Sequence, residues 1–322
     1  VRYINERDIM SLGINWSNII DHLDKTVNYL NQNEYEQPIK PYLRYKNIQN
    51  RIIAMPAYVG GDINISGIKW IASFPDNINN GIPRAHSIVV LNNADTGQPV
   101  CIINTALLSN IRTAGVSGLF MSYYKKSREL KNIKIGIIGY GPIGKYHYAI
   151  CKEVFKGDLE EIYLYDIRGI NKEDIHSTKE CKVTIAENWQ EVYEHSDILI
   201  TCTVSNEPYI DMRSKKGKLL LNISLRDYKT EAINIQEDLI IVDDWDEVCR
   251  EKTDIELMHK KLGLNKECTK SIVDVVCNNC LAECDKDKTI MFNPMGMAVF
   301  DIATGNYYYN LAEKNNIGTV LE

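Results

Sequence analysis

Between residues 16 and 32 the chain reads WSNIIDHLDKTVNYLNQ, with Ile19, Leu23, Val27 and Leu30 at helical spacing and polar residues between them. That stripe predicts an amphipathic helix with one buried face. The next stretch, QPIKPYLRY, carries two prolines, which remove backbone donors and disfavour helix, so an extended crossing is expected. RIIAMPAYVGG and ISGIKWIASF read as strands separated by a Gly-Gly-Asp turn. AHSIVVLNNADTGQPVCIIN reads as a hairpin whose two β-branched runs join through Asn93, Asp95, Thr96 and Gly97. TALLSNIRTAGVSGLFMSYY is then a helix leading out of this first part.

The pattern changes at LKNIKIGIIGYG. From there KIGIIG, EIYLYD, DILITCT, KLLLNIS and LIIVDD alternate with polar helical stretches. Near-continuous apolar runs fit strands buried on both faces, hence an α/β arrangement with a parallel sheet covered by helices. The C-terminal stretch, IMFNPMGMAVFDIATGNYYYNLAEKN, reads as a helical tail. Its Tyr-rich face is expected to pack on the first domain or on another subunit. No internal repeat or low-complexity segment is visible.

Length changes the picture first, because 322 residues exceed what one core usually serves and two domains are expected. A formal net charge of -6, with no long Lys/Arg cluster, argues against a nucleic-acid partner. No signal peptide or membrane-crossing apolar run is legible, so no membrane association is expected. Nine scattered cysteines fit reduced thiols in a cytoplasm better than a disulfide framework.

Candidate chemistry centres on IKIGIIGYGPIGKYH, where Gly139, Gly141 and Gly144 follow a predicted strand and open a predicted helix. In a dinucleotide site these glycines allow a tight turn, close backbone approach to the pyrophosphate and close helix packing, with Pro142 and Ile143 between them. The helix N-terminus adds N–H donors and a positive dipole end. The next strand ends in Asp166, placed to accept hydrogen bonds from both ribose hydroxyls, so NAD is expected over NADP. Arg168, two residues on, could instead meet a 2′-phosphate. Thr201, Cys202 and Thr203 end another strand and form a candidate second cofactor wall.

Three cations sit among apolar residues: Arg44 in KPYLR, Lys69 in SGIKWI and Arg112 in LLSNIRTAG. Each alone reads as an ion pair or a charge reaching water, but three together suggest an anionic ligand. Asp227, in LNISLRDYKTE, follows a strand of the second part and is a candidate acid or base, with a capping role as the alternative. Cys277, Cys280 and Cys284 have a metal-like spacing, yet on one helix they would share a core face, and no metal is expected. His86 and His147 are expected to be ordinary structural residues.

The run KPYLR, RIIAMPAYVGG, SGIKWI, TGQP, LLSNIRTA and GYGPIG, extended by NPMGMAVFDIA, resembles the ornithine cyclodeaminase/mu-crystallin family over nearly the whole chain. Within it, KPYLR, RIIAMPAYVGG and NPMGMA look most like the branch serving 2,3-diaminopropionate synthesis for siderophores or peptide antibiotics. The resemblance implies a homodimer with a Rossmann-type parallel sheet over residues 119–298. An α+β substrate and dimerisation domain would comprise residues 1–118 and the returning segment 299–322. It implies an NAD-dependent enzyme acting on a CH–NH bond of a small amino-acid substrate. Arg44, Lys69 and Arg112 would take substrate carboxylates, with Asp227, and Lys69 as a possible proton acceptor, at the reacting amine. Gly139, Gly141, Gly144 and Asp166 would hold the cofactor. Ornithine cyclodeaminases carry a Gly-Gly-Asp-x-Pro-Gly-Lys-Thr-Glu-like stretch where this chain reads SLRDYKTE, and that departure speaks against proline-forming chemistry. Other amino- or imino-acid dehydrogenases and mu-crystallin-like ligand binding are the alternatives within the resemblance.

Overall fold

A capping box starts the first helix. Asn5 accepts the N–H groups of Arg7 and Asp8, and the Asp8 carboxylate accepts the Asn5 N–H. Helix α1 (Glu6–Leu12) therefore begins directly after strand β1 (Arg2–Asn5). Asn15 then accepts the Asn18 N–H and caps α2 (Trp16–Asn31), which buries Ile19, Leu23, Val27 and Leu30, the stripe anticipated from spacing. The computed structural model describes residues 1–175 and 181–322. They form two units, Val1–Val116 with Gly296–Glu322, and Ser117–Met295.

The first unit is a sheet with helices on one face. Its strands after β1 are β2 (Tyr35–Glu36), β3 (Tyr42–Leu43), β4 (Arg51–Val59), β5 (Ile65–Ser73), β6 (Ala85–Asn93) and β7 (Pro99–Asn104). The sheet order is Thr319–Val320, β1, β7, β6, β5, β4, β2, with β3 beside β4. The β1–β7 pair is parallel and the other pairs are antiparallel. Strand alternation sorts the side chains: the row Met55, Lys69, Val89, Ile103 lies on one face and Ala54, Trp70, Ile88 on the other. The C-terminal helix (Ala298–Asn315) covers the first of these faces and packs on α2. Gly305 permits that approach, since a Cβ there would already lie 3.4–3.5 Å from Leu91, Val89 and Ile103.

Helix α3 (Leu107–Ser127) contains the boundary into the second unit, whose eight strands are all parallel. They are β8 (Ile133–Ile138), β9 (Leu159–Tyr165), β10 (Lys182–Ile185), β11 (Ile198–Thr201), β12 (Leu219–Asn222), β13 (Leu239–Val242), β14 (Lys270–Ser271) and β15 (Ile290–Asn293). The order β10-β9-β8-β11-β12-β15-β13-β14 is a doubly wound Rossmann-type sheet. Its strand order reverses between β8 and β11, where ligands gather in such sheets. Helices α4 (Pro142–Val154), α5 (Trp189–His195), α6 (Trp245–Val248), α7 (Asp254–Leu262), α8 (Ile272–Val276) and α9 (Cys280–Glu283) complete the unit.

Two expectations are corrected. IMFN is strand β15, wholly buried, and the tail becomes helical only at Ala298. A run of three apolar residues has no readable period, and the insertion of this strand between β12 and β13 decided the matter. Cys277, Cys280 and Cys284 do not share a helix. Cys277 ends α8, Asn279 takes a left-handed conformation (φ 54°), and Cys280 starts a separate turn ending at Cys284. Polar Asn278 and Asn279 break the helix that the cysteine spacing suggested.

Candidate functional site

In the second unit the glycine loop leaves β8 at the reversal point. Gly139 has φ 92° and lies so close to Cys202 that a Cβ would fall 2.7 Å from its carbonyl. A Cβ on Gly144 would lie 2.0 Å from the Gly139 oxygen, so helix α4 can sit against the loop only with glycine there. Gly141 differs: the nearest atom to a Cβ there is the end of Arg168 at 3.8 Å. That glycine faces open space, and as N-cap of α4 it provides no side-chain cap, which leaves first-turn N–H donors for an anion. Pro142 occupies the first helical position, where its missing N–H costs nothing.

Asp166 stands just past β9 and is tied to this loop. Its Oδ2 accepts the Tyr140 N–H at 2.9 Å, and its Oδ1 accepts the Arg168 N–H at 3.0 Å and Nε–H at 3.3 Å. Burial alone would raise its pKa, but the bonds from Arg168 and Tyr140 outweigh it and hold the carboxyl below its usual range. An ionised acid beside the loop, open space at Gly141 and unfilled helix donors suit the pyrophosphate and ribose of a dinucleotide. Thr201, Cys202 and Thr203 pass beside Gly139, with the Cys202 N–H bonded to the Ile138 carbonyl at 2.7 Å.

A buried polar network spans the ends of β11, β12 and β15. Asp227, 0% exposed, accepts from Thr203 Oγ1 at 2.5 Å and from Ser224 Oγ. Burial raises its pKa, opposed by the Ser224, Thr203 and Thr201 hydroxyls and by Arg226. Asn222 accepts the Leu225 N–H at 3.0 Å and donates to Asp254 Oδ2 and Asn293 Oδ1 at 2.9 and 2.8 Å. Asp254 is pushed up to about 7 by burial, partly offset by its hydrogen bonds, with the neighbouring Asp227 charge adding to the rise. Leu225, in the place where the family's Gly-Gly-Asp pattern has a glycine, holds φ 61°. A left-handed leucine costs about 1–2 kcal/mol. Arg226 turns away to the carbonyls of Ser224 and Glu251.

In the first unit the structure brings Lys69 and Arg112 together. Lys69 Nζ and Arg112 Nε both donate to Asp301 Oδ1 at 2.9 Å, and Asp301 is 0% exposed. Burial drives the Lys69 ammonium down to about 8, against the pull of Asp301, with Arg112 and Lys40 adding repulsion. Burial works against the Asp301 charge as well, but Arg112 and Lys69 overcome it and hold the carboxyl low. Two cations share one carboxylate, leaving a net positive charge within the trio. Arg44 has another setting at the end of β3, donating to the Ile48 carbonyl at 3.0 Å and lying over the Tyr42 ring.

Asp254, Asn222, Ser224 and Asp301 had escaped notice in the sequence. A lone Asp in an apolar run, as in MAVFDIA, was the available signal for Asp301, since such a charge must find partners. His147 is buried, bonded to Ser117 and the Ile143 carbonyl, and burial lowers its pKa to about 4. His86 is exposed on β6. Among the described residues no three His, Cys, Asp or Glu side chains gather as a metal site, and no helix is long and apolar enough to cross a membrane.

Comparison with known proteins extends these findings. The chain is 34% identical to N-((2S)-2-amino-2-carboxyethyl)-L-glutamate dehydrogenase of Staphylococcus aureus, over 99% of this chain and 97% of that protein. It is 24% identical to alanine dehydrogenase of Archaeoglobus fulgidus over 89% of this chain and 88% of that one. Among solved structures, Thermococcus litoralis Δ1-pyrroline-2-carboxylate reductase in complex with NADH and L-proline matches with TM-score 0.85 at 22% identity, covering all of both chains. The model of the ornithine cyclodeaminase/mu-crystallin family matches residues 4–316, and the chain therefore belongs to that family.

Proposed function

We propose that this protein catalyses the NAD-dependent oxidative hydrolysis of N-(2-amino-2-carboxyethyl)-L-glutamate. The substrate, NAD⁺ and water would give L-2,3-diaminopropionate, 2-oxoglutarate, NADH and a proton. The observation that carries this reading is the 34% identity to a dehydrogenase of that substrate across 99% of the chain. The positive Lys69–Arg112–Asp301 trio supports it, because a substrate with three carboxylates needs fixed cations. The open glycine loop and ionised Asp166 support NAD as the cofactor.

NAD, when bound, supplies the hydride acceptor. The chain's own residues do the rest. Lys69 and Arg112 hold carboxylate, with Arg44 as a further carboxylate ligand. The amine proton passes to water held by Asp227, which leaves Lys69, with its pKa near 8, charged for the carboxylate at neutral pH. Asp227, its hydrogen bonds supplied by neutral hydroxyls, orients and deprotonates the water that adds to the imine carbon. Thr201, Cys202 and Thr203 line the cofactor beside Gly139.

The same reading includes a homodimer in the cytoplasm, feeding siderophore or peptide-antibiotic assembly. Support for the dimer comes from the sheet face opposite the C-terminal helix. It carries Pro56, Ile68, Val90 and Ile102 in one cross-strand row and Trp70, 41% exposed, with Ile88 in the next. Such an apolar face suits a second copy of the chain. Nine cysteines scattered without the spacing of a disulfide framework support a reducing compartment.

The test is NADH formation at 340 nm with the purified protein, NAD and this substrate, set beside ornithine, alanine and glutamate. Turnover only with the first, with 2-oxoglutarate appearing in step, sustains the proposal. Proline and ammonia from ornithine would overturn it in favour of cyclodeaminase chemistry. Silence throughout, with NAD still bound by calorimetry, would overturn it in favour of a ligand-binding protein of the mu-crystallin type.

A further inference from the structure

We propose that Asp254 is the positioning residue of the Asp227 loop, clasping residues 225–228 in the one backbone arrangement that presents the Asp227 carboxylate to Thr203 and Ser224. The inference rests on the reading of Asp227 as the group that handles protons. Asp254 is the first residue of α7, 1% exposed. Its N–H donates to the Leu225 carbonyl at 2.8 Å. Its Oδ2 accepts three hydrogen bonds, from the Asp227 N–H at 3.1 Å, the Tyr228 N–H at 3.2 Å and Asn222 Nδ2 at 2.9 Å. One residue thus grips the loop before and after Arg226, and through Asn222 ties it to the end of β12.

The loop needs such a grip. Leu225 holds a left-handed backbone that leucine rarely adopts, and its side chain is buried at 4% exposure. Strain of this kind persists only where the surroundings over-determine it. A neutral residue would supply the same acceptor oxygen, yet the chain places a carboxylate there with its second oxygen, Oδ1, buried and without a partner among the described residues. Above its pKa of about 7, that choice sets a negative charge behind the Asp227 amide. The titratable and charged groups around Asp227 are Arg226 on its own loop, Asp254 on α7, Tyr228 following it, and Cys202 and Tyr209 beyond β11. Arg226 favours an ionised Asp227, whereas the Asp227 and Asp254 charges repel one another once Asp254 ionises near pH 7.

Asp254→Ala removes clasp and charge, whereas Asp254→Asn keeps an acceptor oxygen and removes the charge alone. Three readouts on the full chain separate these effects: amide hydrogen exchange at residues 225–228, NAD affinity by calorimetry, and the pH profile of kcat with N-(2-amino-2-carboxyethyl)-L-glutamate. In Asp254→Ala, exchange at Asp227 and Tyr228 should rise by about 10²-fold as the loop opens locally. Its kcat should fall about 10²-fold, with NAD affinity and KM within a few-fold. Asp254→Asn should keep protection and remove the step in kcat near pH 7 at which Asp254 takes its charge, because Asp227 then has no negative neighbour to gain. If Asp254→Ala fails to fold, the Asn variant carries the test through its pH profile. An unchanged kcat in Asp254→Ala or an unchanged pH profile in Asp254→Asn overturns the proposal, as does loss of NAD affinity in proportion to activity. If the wild type turns over none of the substrates, the functional reading fails, and exchange alone decides the clasp: lost protection in Asp254→Ala sustains it and retained protection overturns it.

Discussion

Two clusters, one in each unit, bury charge in opposite ways. In the first, Lys69 and Arg112 are set on the carboxylate of Asp301, so opposite charges offset part of the cost of leaving water. In the second, Asp227 and Asp254 are buried with hydroxyls, an amide and backbone N–H groups as partners, and Arg226 bonds to carbonyls instead. The difference shows in the pKa directions: Asp301 is held low, while Asp227 and Asp254 are raised. Ion-paired burial keeps an acid charged across the physiological range and suits holding a ligand of opposite sign. Burial with neutral donors brings an acid towards neutrality and suits moving a proton.

The largest effect should come from breaking the ion-paired side. Asp301→Ala leaves two buried cations without their carboxylate and should destabilise the fold by about 3–5 kcal/mol in denaturant unfolding. A loss below 1 kcal/mol would mean that the cations find water or other partners. Next comes Asp227→Asn, expected to lower kcat by about 10²–10³-fold while calorimetry shows NAD still bound. Full turnover in that variant would remove Asp227 from the chemistry.

Smaller effects sharpen the contrast. Gly141→Ala meets open space in the protein but crowds an approaching pyrophosphate, so NAD affinity should drop about tenfold at unchanged Tm. Gly144→Ala, 2.0 Å from the Gly139 oxygen, should lower Tm as well. In the wild type kcat/KM should fall above about pH 8 as Lys69 loses the charge that holds carboxylate, and Asp301→Asn should move that limb lower still. The smallest effect is on stability at Asp254. Its folded pKa, about 7, lies above that of an unfolded aspartate, so the folded state binds the extra proton between about pH 4 and 7. Wild-type stability therefore falls with rising pH across that window and the penalty is complete above it. Relative to wild type, Asp254→Asn should gain a few degrees in Tm at pH 8 and less at pH 5. An equal difference at both pH values would deny that Asp254 is buried ionised.

Much of this was legible in the chain because the signals are local. The α2 stripe, the run IKIGII and the glycines after it each carry their period or spacing within a few residues. Lys69 and Arg112 also stood out, since a cation inside an apolar run must find a partner. The partner itself was not legible: Asp301 lies 232 residues from Lys69 and 189 from Arg112. The same holds for Asp254, whose bonds to Asp227 and Tyr228 cross 27 and 26 residues. Strand β15 was hidden for a related reason, because its three apolar residues have no period and only their neighbours in the sheet define them.

The sequence by itself determined the alternating parallel-sheet pattern, the nucleotide-type loop, the acid at Asp166 and the family. All of these follow from periodicity, backbone permissiveness and short motifs. Only the tertiary structure decided which acid serves Lys69 and Arg112, how Leu225 is held in a left-handed turn, and which buried carboxylate stands behind Asp227. Those are long-range electrostatic matters: a charge taken out of water must be matched by whatever group the fold brings near it, and no local pattern names that group.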